Sequence, residues 1–585
     1  MKTFDLNLPY NIDQKYAKKI AYFSPEFAIH QPLKTYAGNV GYLTGSFLRS
    51  AYALKQDVIG IGILWKYGYY DQIRKNDLTM DVQFQEKNYK FLEDVGIKFT
   101  VPINNKEVYV KAYYLAPQLF KTAPLFLLST DLPENDYLSQ SITHKLYDIH
   151  TETRMASHIV LGVGGANFLE IINYEPDFYN LNEVDALPLA FHLYKKLNNA
   201  EDVKNKIVFT DHSPDETTDL NTVKSFNTDH TPNESVSQTL EFHQLEKMNY
   251  FSGLSQEQIE KLLGKTGQLF NPNQAAIQIA KTTIGNSILH KDLLQQFYPS
   301  QKKSIQHITA SQNFNYWADK DLYEALKSGD ADALNRRKKL LKKLLFEEVA
   351  DLTGHLFDEN HLTLVWARRF SNFRRPDLIL QNLEKLQELL NDKVQPVQII
   401  FAGKPHPMDY TSITIFDKLI NVSKEFNNLT VLTGLELKLS KLLKGGADLW
   451  LNTSSTSHEA SETSCISAAM NGCINFSTNS SWIPEFSSPG VNSFILSPVD
   501  PYISDFEQNK NDNAHLMDFL KNEVIPMYYN NPAGWTTMMK RSMKDIIPYF
   551  DSDRLVKEYY EKIYNADAAN ISVTVNNNNH FAKIN

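Results

Sequence analysis

The chain has few of the features that would place it outside an aqueous, reducing compartment. Only two cysteines occur in 585 residues, Cys465 and Cys473. They are too few for a disulfide framework and do not have metal-ligand spacing. No apolar run approaches the roughly 20 residues needed to cross a bilayer, and the N-terminus, MKTFDLNLPYNIDQKY, lacks the apolar centre of a signal peptide. A basic excess is missing as well. Against 68 Asp and Glu stand 59 Lys and Arg, for a net charge of −9, which gives no attraction for nucleic acid or anionic membrane. These absences predict a cytoplasmic protein with no metal, no nucleic-acid partner and no membrane anchor. What the chain does have is size and 42% hydrophobic residues, enough to bury large cores in at least two domains. Its 33 Phe and 30 Tyr suit stacking on carbohydrate, although most aromatics in such a chain fill cores.

Strand and helix patterns alternate along the chain. Residues 20–25 and 58–64 read as apolar strands, joined by a glycine-containing loop at 35–41 and a helix through Leu43, Phe47, Leu48, Ala51 and Leu54; this is a βαβ unit. Residues 85–130 alternate apolar and polar, as in an antiparallel insertion. Helical spacing returns over 151–161, and a strand over 207–210 ends in Asp211-His212-Ser213-Pro214. The Thr-, Asp-, Asn- and Ser-rich stretch 213–240 reads as a loop over a cleft. A charged helical connector at 320–350 carries Arg336-Arg337-Lys338-Lys339 and Lys342-Lys343, expected on a solvated face. Strands are predicted at 361–366, 397–402, 428–432 and 448–451, a helix at 376–390, and closing helices at 515–525, 535–548 and 553–564. The fold class is therefore α/β, with two Rossmann-like doubly wound domains facing a central cleft. The first covers 1–318 with its β insertion, the second 319–564 with the closing helices, and the Asn-containing tail 565–585 is expected to be disordered.

Two stretches carry chemistry. Residues 446–477 read as strand, polar loop, helix and strand, with Glu459 at the mouth of the helix. In an open parallel sheet, ligands sit outside the carboxyl ends of the strands, where helix N-termini point. Glu459 is placed there to accept hydrogen bonds from sugar hydroxyls, and a solvated N-cap acid is the plainer reading of its spacing. The second stretch is Trp366-Ala367-Arg368-Arg369-Phe370-Ser371-Asn372-Phe373-Arg374-Arg375, between a strand and a helix. Guanidinium forks bind phosphate oxygens bidentately. Lys404, in Gly403-Lys404-Pro405-His406-Pro407, ends the next strand. Two cationic clusters ending adjacent strands point to an anion site more than to a solvated basic loop.

These residues also carry a resemblance. Glu459-Ala460-Ser461, one residue, Thr463, then a helix ending Met470-Asn471-Gly472 resembles the cofactor loop of the glycogen and α-glucan phosphorylases of the short bacterial type. The likeness extends over nearly the whole chain. Phe23-Ser24-Pro25-Glu26-Phe27 and Tyr36-Ala37-Gly38-Asn39-Val40-Gly41 resemble the family's first strand and its glycine loop, with Asn39 where the family has glycine. Leu181-Asn182-Glu183-Val184-Asp185-Ala186 carries Asp185 in the place of a histidine. The segment 279–290 has Ile284 where the family has a sugar-contacting asparagine, and keeps His290, read as packed rather than chemical. The resemblance implies the glycosyltransferase B architecture and a retaining transfer of glucose. It places Glu459, Ala460, Ser461, Gly38, Gly41, Arg368 and Lys404 at the substrate, with His212, Arg369 and Arg374 in the catalytic set. In the family a lysine eight residues after the glutamate holds pyridoxal phosphate. Here that position is Ser467, and Glu462 replaces a glycine beside the two anions. No covalently held pyridoxal phosphate is expected, and no cofactor-binding residue is assigned.

Three functions follow from this pattern. The first is a phosphorylase-like retaining glucosyltransferase acting on α-glucan or a related glucoside, with a sugar phosphate or nucleotide sugar as donor, an oligo- or polysaccharide as acceptor and a homodimeric assembly. The second is a non-catalytic glucan- or sugar-phosphate-binding regulator that keeps the scaffold, which the departures at Asn39, Asp185, Ile284, Glu462 and Ser467 support. The third is a conventional phosphorylase with loosely held pyridoxal phosphate. The crowding of like charges at 368–375 favours the first, since an idle site has no need of it.

Overall fold

The computed structural model describes residues 4–212, 240–264, 267–455, 462–496 and 503–566. The expectations for Glu459, Ala460 and Ser461, for residues 213–239 of the loop and for all but the first two residues of the tail lie outside those residues. Among the described residues, fifteen strands build two large sheets, and four more form two-stranded pairs. Those of the first sheet are β1 (Ile20–Phe23), β2 (Val58–Ile63), β3 (Glu93–Ile103), β4 (Lys106–Leu115), β5 (Leu125–Ser129), β6 (Phe178–Asn182), β7 (Ile207–Asp211), β8 (Thr282–Gly285) and β9 (Ile305–His307). Their spatial order is β9-β8-β7-β6-β1-β2-β5-β4-β3. The run from β9 to β5 is parallel, and β4 and β3 add an antiparallel hairpin at one edge. That hairpin is the expected insertion. Strands β1 and β2 are buried at every position, as a parallel strand covered on both faces must be.

The second sheet contains β10 (Leu362–Ala367), β11 (Val397–Ala402), β12 (Leu429–Leu432), β13 (Leu449–Asn452), β14 (Ile474–Thr478) and β15 (Ser493–Leu496). It is parallel throughout in the order β12-β11-β10-β13-β14-β15. The order reverses between β10 and β13, and in the first sheet between β1 and β6. Reversal points are where the chain leaves adjacent strands in opposite directions and opens a crevice at their carboxyl ends.

Helix α1 (Asn39–Ala53) follows β1, and α2 (Ala331–Thr353) joins the two halves. Helix α3 (Leu437–Gly446) follows β12, and α4 (Thr463–Ala469) lies between β13 and β14. The closing helix α5 (Ser552–Tyr559) crosses back to the first half: Ser552 Oγ meets Ser50 Oγ at 2.6 Å and Tyr559 meets Thr210 at 2.9 Å. No helix among the described residues is long and apolar enough to cross a membrane.

Two expectations need correction. The helix expected over 376–390 begins at Leu383, after a 3₁₀ turn at Leu378–Gln381, and runs to Asn391. The connector's basic run is not all solvated. Lys338 and Lys342 are buried on the helical stripe Leu334, Lys338, Lys342, Leu345 and Val349. Lys338 Nζ donates to the carbonyls of Gly445 and Asn471 at 2.8 and 2.9 Å, and Lys342 Nζ donates to Asp448 at 2.7 Å and to the His361 carbonyl at 2.7 Å. Two of the Lys338 protons and, with the Tyr528 hydroxyl at 3.4 Å, all three of Lys342 are directed at oxygens, which offsets the cost of desolvation.

Candidate functional site

The carboxyl ends of the two sheets meet. Tyr70 donates its hydroxyl to the Pro405 carbonyl at 2.7 Å, and Lys404 Nζ donates to the Tyr70 carbonyl at 3.0 Å. Glu436, at the start of α3, accepts from Lys34, from Gln31 at 2.7 Å and from Lys404 at 3.1 Å. Thr463, the first residue of α4, donates its hydroxyl to Asn39, the first residue of α1. The side chain that Asn39 adds to the glycine loop thus ties the two halves together.

The first reversal point presents oxygens. Glu26 Oε2 accepts the N–H groups of Ala37 at 2.7 Å and Gly38 at 3.0 Å, and Glu26 Oε1 accepts the Tyr147 hydroxyl. The glycine loop's first amides are therefore held by a carboxylate of the protein itself. The two glycines differ in their reason for being small. A Cβ on Gly41 would lie 2.5 Å from Tyr36 Cβ and 3.0 Å from Glu26 Oε2, whereas one on Gly38 would meet nothing within 4 Å. Gly41 is required by packing; Gly38 borders open space.

His212 follows β7 and is locked on both sides. Its Nε2 lies 2.7 Å from Asn182 Oδ1, and Asn286 Nδ2 lies 2.7 Å from its Nδ1. Asn182 gives its own N–H to Ser24 Oγ and its oxygen to Tyr22, so the ring is a neutral imidazole that donates from Nε2 and accepts at Nδ1. Burial, helped by the charge of His290, pulls its pKa down to about 3. Ile284, in the place of the expected asparagine, is packed in the core; Asn286, two residues on, supplies the amide. His290 is buried, accepts from Asn286 N at 3.2 Å and lies 3.6 Å from Asp211, a packed histidine. Asp185 pairs with His158 at 3.3 Å.

The second reversal point presents cations. A Cβ on Gly403 would sit 1.9 Å from the Arg368 carbonyl; only glycine lets the loop after β11 lie against the arginine loop. Arg368 turns towards β13: its guanidinium donates to Asn452 Oδ1 and to Ser454 Oγ at 2.6 Å, and lies 3.6 Å from the carboxylate of Glu462. Glu462 points inward with a side chain that is 0% exposed, and it accepts from Ser480 Oγ at 2.9 Å. Arg375 is tied to Asp512 at 2.5 Å and to the Thr453 carbonyl at 2.7 Å. Lys404 is buried against Glu436; burial lowers its pKa and Glu436 opposes that fall. Arg369 and Arg374 are half-buried. Arg374 donates to the Arg369 carbonyl at 3.3 Å and lies over Phe373. The charge of Arg369 acts on residues of the opposite half and of the neighbouring loop. Burial raises Tyr69 to about 12 against its pull, and burial together with Arg369 lowers His406 to about 4. Of the five cations read from the sequence, Arg368, Arg375 and Lys404 are buried against acids or carbonyls of the protein, while Arg369 and Arg374 are half-buried.

Ser467 is fully buried and donates back to the carbonyls of Thr463 and Ser464 at 3.2 and 3.3 Å. Among the described residues no group of three or more His, Cys, Asp or Glu is placed to hold a metal. Sequence reading missed Glu26, Glu436, Tyr70, Tyr147 and Asn286. The order of the strands marks Glu26 and Asn286 as strand-end residues, but nothing local distinguishes the tyrosines from core aromatics.

Residues 278–481 match the carbohydrate phosphorylase family. The chain is 40% identical to an uncharacterized protein of Methanocaldococcus jannaschii, over 94% of this chain and all of the other. It is 28% identical to the maltodextrin phosphorylase of Thermococcus litoralis, covering 97% of this chain and 72% of that protein. It is also 28% identical to the glycogen phosphorylase of Aquifex aeolicus, covering 96% and 88%.

Proposed function

Because the chain belongs to the carbohydrate phosphorylase family, we propose that it is a phosphorylase-like retaining glucosyltransferase working without pyridoxal phosphate. Its substrates are an α-glucan or related glucoside and a phosphate-bearing partner, either a sugar phosphate or a nucleotide sugar. The observation that carries this reading is the meeting of two reversal points with opposite chemistry, amides and carboxyls on one side and Arg369 and Arg374 on the other. The two facing sheets suit a glycosyltransferase B architecture, with the halves meeting near residue 318.

In this reading Arg369 and Arg374 hold the phosphate by charge-assisted hydrogen bonds and stabilise negative charge as the glycosidic bond breaks. His212 has both ring nitrogens engaged, so it positions the Asn182 and Asn286 amides rather than carrying a proton. Glu459 accepts sugar hydroxyls. Pyridoxal phosphate does not fit these residues. Ser467 offers no amine, and its hydroxyl is turned into its own helix. Glu462 puts a carboxylate against Arg368, where a second anion would need the guanidinium.

That same pairing favours a second reading, a sugar-phosphate-binding protein without turnover, since Arg368, Arg375 and Lys404 are already neutralised internally. The deciding experiment follows glucosyl transfer from glucose 1-phosphate or a nucleotide glucose to maltodextrin, with and without added pyridoxal phosphate. Transfer that ignores the coenzyme and is lost in Arg369→Ala supports the transferase. Ligand-dependent thermal stabilisation with no transfer supports the binder, and transfer only with the coenzyme overturns both.

A further inference from the structure

We propose that a strip of aromatic side chains on the surface of the first half, running from Phe84 through Tyr67 and His144 to Tyr137, binds the rings of a long α-glucan beside the junction of the two halves. This rests on the reading that the substrate is an α-glucan and goes beyond it by giving the polysaccharide a second point of attachment.

Local structure puts these rings on the outside. Tyr137 opens a five-residue helix, Tyr137–Ser141, capped by Asp136, whose side chain accepts the Ser139 N–H at 2.8 Å. Ser139 is the buried member of that turn, so Tyr137 faces out and is 75% exposed. Phe84 follows the antiparallel pair Asp71–Arg74 and Met80–Gln83 and is 36% exposed. Tyr67 and His144 join the two. Ring centroids step 6.4 Å from Phe84 to Tyr67, 5.4 Å on to His144 and 6.5 Å on to Tyr137, each pair meeting edge to face.

Single exposed aromatics are ordinary, whereas a run of them rimmed by polar groups marks a binding surface. Here the rings alternate with charge. Lys145 Nζ lies 4.2 Å over Phe84 and Lys66 Nζ 6.0 Å over Tyr67. Asp131 lies 2.9 Å from Lys66 Nζ and 3.1 Å from His144 Nε2. Lys66 and Asp131 both keep part of their side chains in water, where they can meet a hydroxyl. A protein partner is served better by a continuous apolar patch. A pyranose has an apolar C–H face bordered by hydroxyls, and an aromatic ring next to a donor or acceptor matches both parts of it.

The strip is tied to the junction through the backbone. The Lys66 N–H donates to the Thr143 carbonyl at 3.0 Å, the Tyr67 N–H to the His144 carbonyl at 2.9 Å, and the Leu146 N–H to the Gly68 carbonyl at 3.0 Å. These two paired stretches go on to Tyr70, which reaches Pro405 of the second half, and to Tyr147, whose hydroxyl goes to Glu26. The Tyr69 ring lies 6.3 Å from that of Tyr147 and 6.2 Å from that of His406. A glucan with one end at the junction therefore meets the strip on the same half.

The test is native electrophoresis of the whole protein through gels with and without glycogen, comparing the wild type with the double variant Phe84→Ala, Tyr137→Ala. Both side chains are exposed, and surface substitutions of this kind leave stability nearly unchanged. Glycogen should retard the wild type. The variant's apparent dissociation constant for glycogen should rise about tenfold or more, as the loss of two aromatic contacts implies, while its transfer to maltopentaose stays within about twofold. Tyr137→Phe, which keeps the ring, should be retarded as the wild type is. Equal retardation of wild type and double variant, or retardation of neither, would overturn the proposal. So would an equal loss of transfer to maltopentaose, which would make the strip part of the catalytic path, or self-association in sedimentation that the double variant loses, which would give the strip to a second copy. Strip-dependent retardation in a protein that transfers no glucose would leave this surface standing and remove the transferase reading alone.

Discussion

The contact between Arg368 and Glu462 makes the most specific claim about this cleft, and Glu462→Gln tests it. The substitution keeps the shape of the side chain and removes its charge. At 3.6 Å, opposite unit charges attract by about 4–5 kcal/mol at an effective dielectric of about 20. Both side chains are nearly inaccessible, at 5% and 0% exposure, so little of this is screened by solvent. Removing one partner of a buried pair costs about 3–5 kcal/mol, because the remaining charge is left without compensation. Asn452 and Ser454 still solvate the guanidinium, which places the expected loss at the lower end of that range. An anion that fills the vacated place should recover stability through binding, by about 2.7 kcal/mol at a hundred times its dissociation constant. The assay is a thermal melt of both proteins across a phosphate series, with chloride at matched ionic strength as the control. Glu462→Gln should melt lower than the wild type without phosphate and gain more from it. Equal melting temperatures and equal phosphate responses would refute the idea that Glu462 occupies an anion's seat.

Three further outcomes follow from the same structure. Glu183 has φ 72° and ψ 172° and accepts the His212 N–H, so Glu183→Gly should melt higher than Glu183→Ala: both lose that bond, and only glycine relieves about 1–3 kcal/mol of backbone strain, which exceeds the roughly 0.4–1 kcal/mol it adds in unfolded-chain entropy; equal melting temperatures contradict the strain. His212 is held at about 3 in the fold against about 6.5 unfolded. Between those values the unfolded chain binds a proton that the folded one does not. Its contribution to stability is therefore complete above about pH 6.5 and declines by about 1.4 kcal/mol per pH unit as pH falls towards 3. A His212→Gln variant should show a shallower pH dependence of its unfolding midpoint, and an unchanged slope would count against the buried neutral ring. Asp448→Asn strands the buried Lys342 ammonium and should cost about 3–5 kcal/mol, read as a lowered denaturant midpoint, whereas an unaltered midpoint would show the pair to be dispensable.

Most of the scaffold was legible because parallel strands announce themselves as continuous apolar runs. Leu362–Ala367, Val397–Ala402 and Leu449–Asn452 lie within a residue or two of where the pattern put them. Leu378, Ile379 and Leu380 extend the apolar spacing of the helix after β10 backwards, although they belong to a 3₁₀ turn. Lys338 and Lys342 show a different limit. Their spacing lies on the apolar stripe of α2, but a lysine on a stripe reads as solvated until the oxygens it satisfies are known. Three of those oxygens come from Gly445, Asn471 and Asp448, a hundred or more residues away. The cationic loop followed the same rule. Residue type and strand position mark all of 368–375 as an anion site, and tertiary partners bury Arg368 and Arg375 while Arg369 and Arg374 are only half-buried. The inward turn of Glu462 depends on a φ of 23° and on Ser480, neither of which a sequence pattern reveals.

The most direct measurement of the central claim is glucosyl transfer by protein shown spectroscopically to carry no pyridoxal phosphate. The account predicts radiolabel moving from glucose 1-phosphate or a nucleotide glucose into maltodextrin at a rate that added coenzyme leaves unchanged and Arg369→Ala abolishes. A rate that appears only when pyridoxal phosphate is supplied, or that survives loss of the arginine, contradicts it.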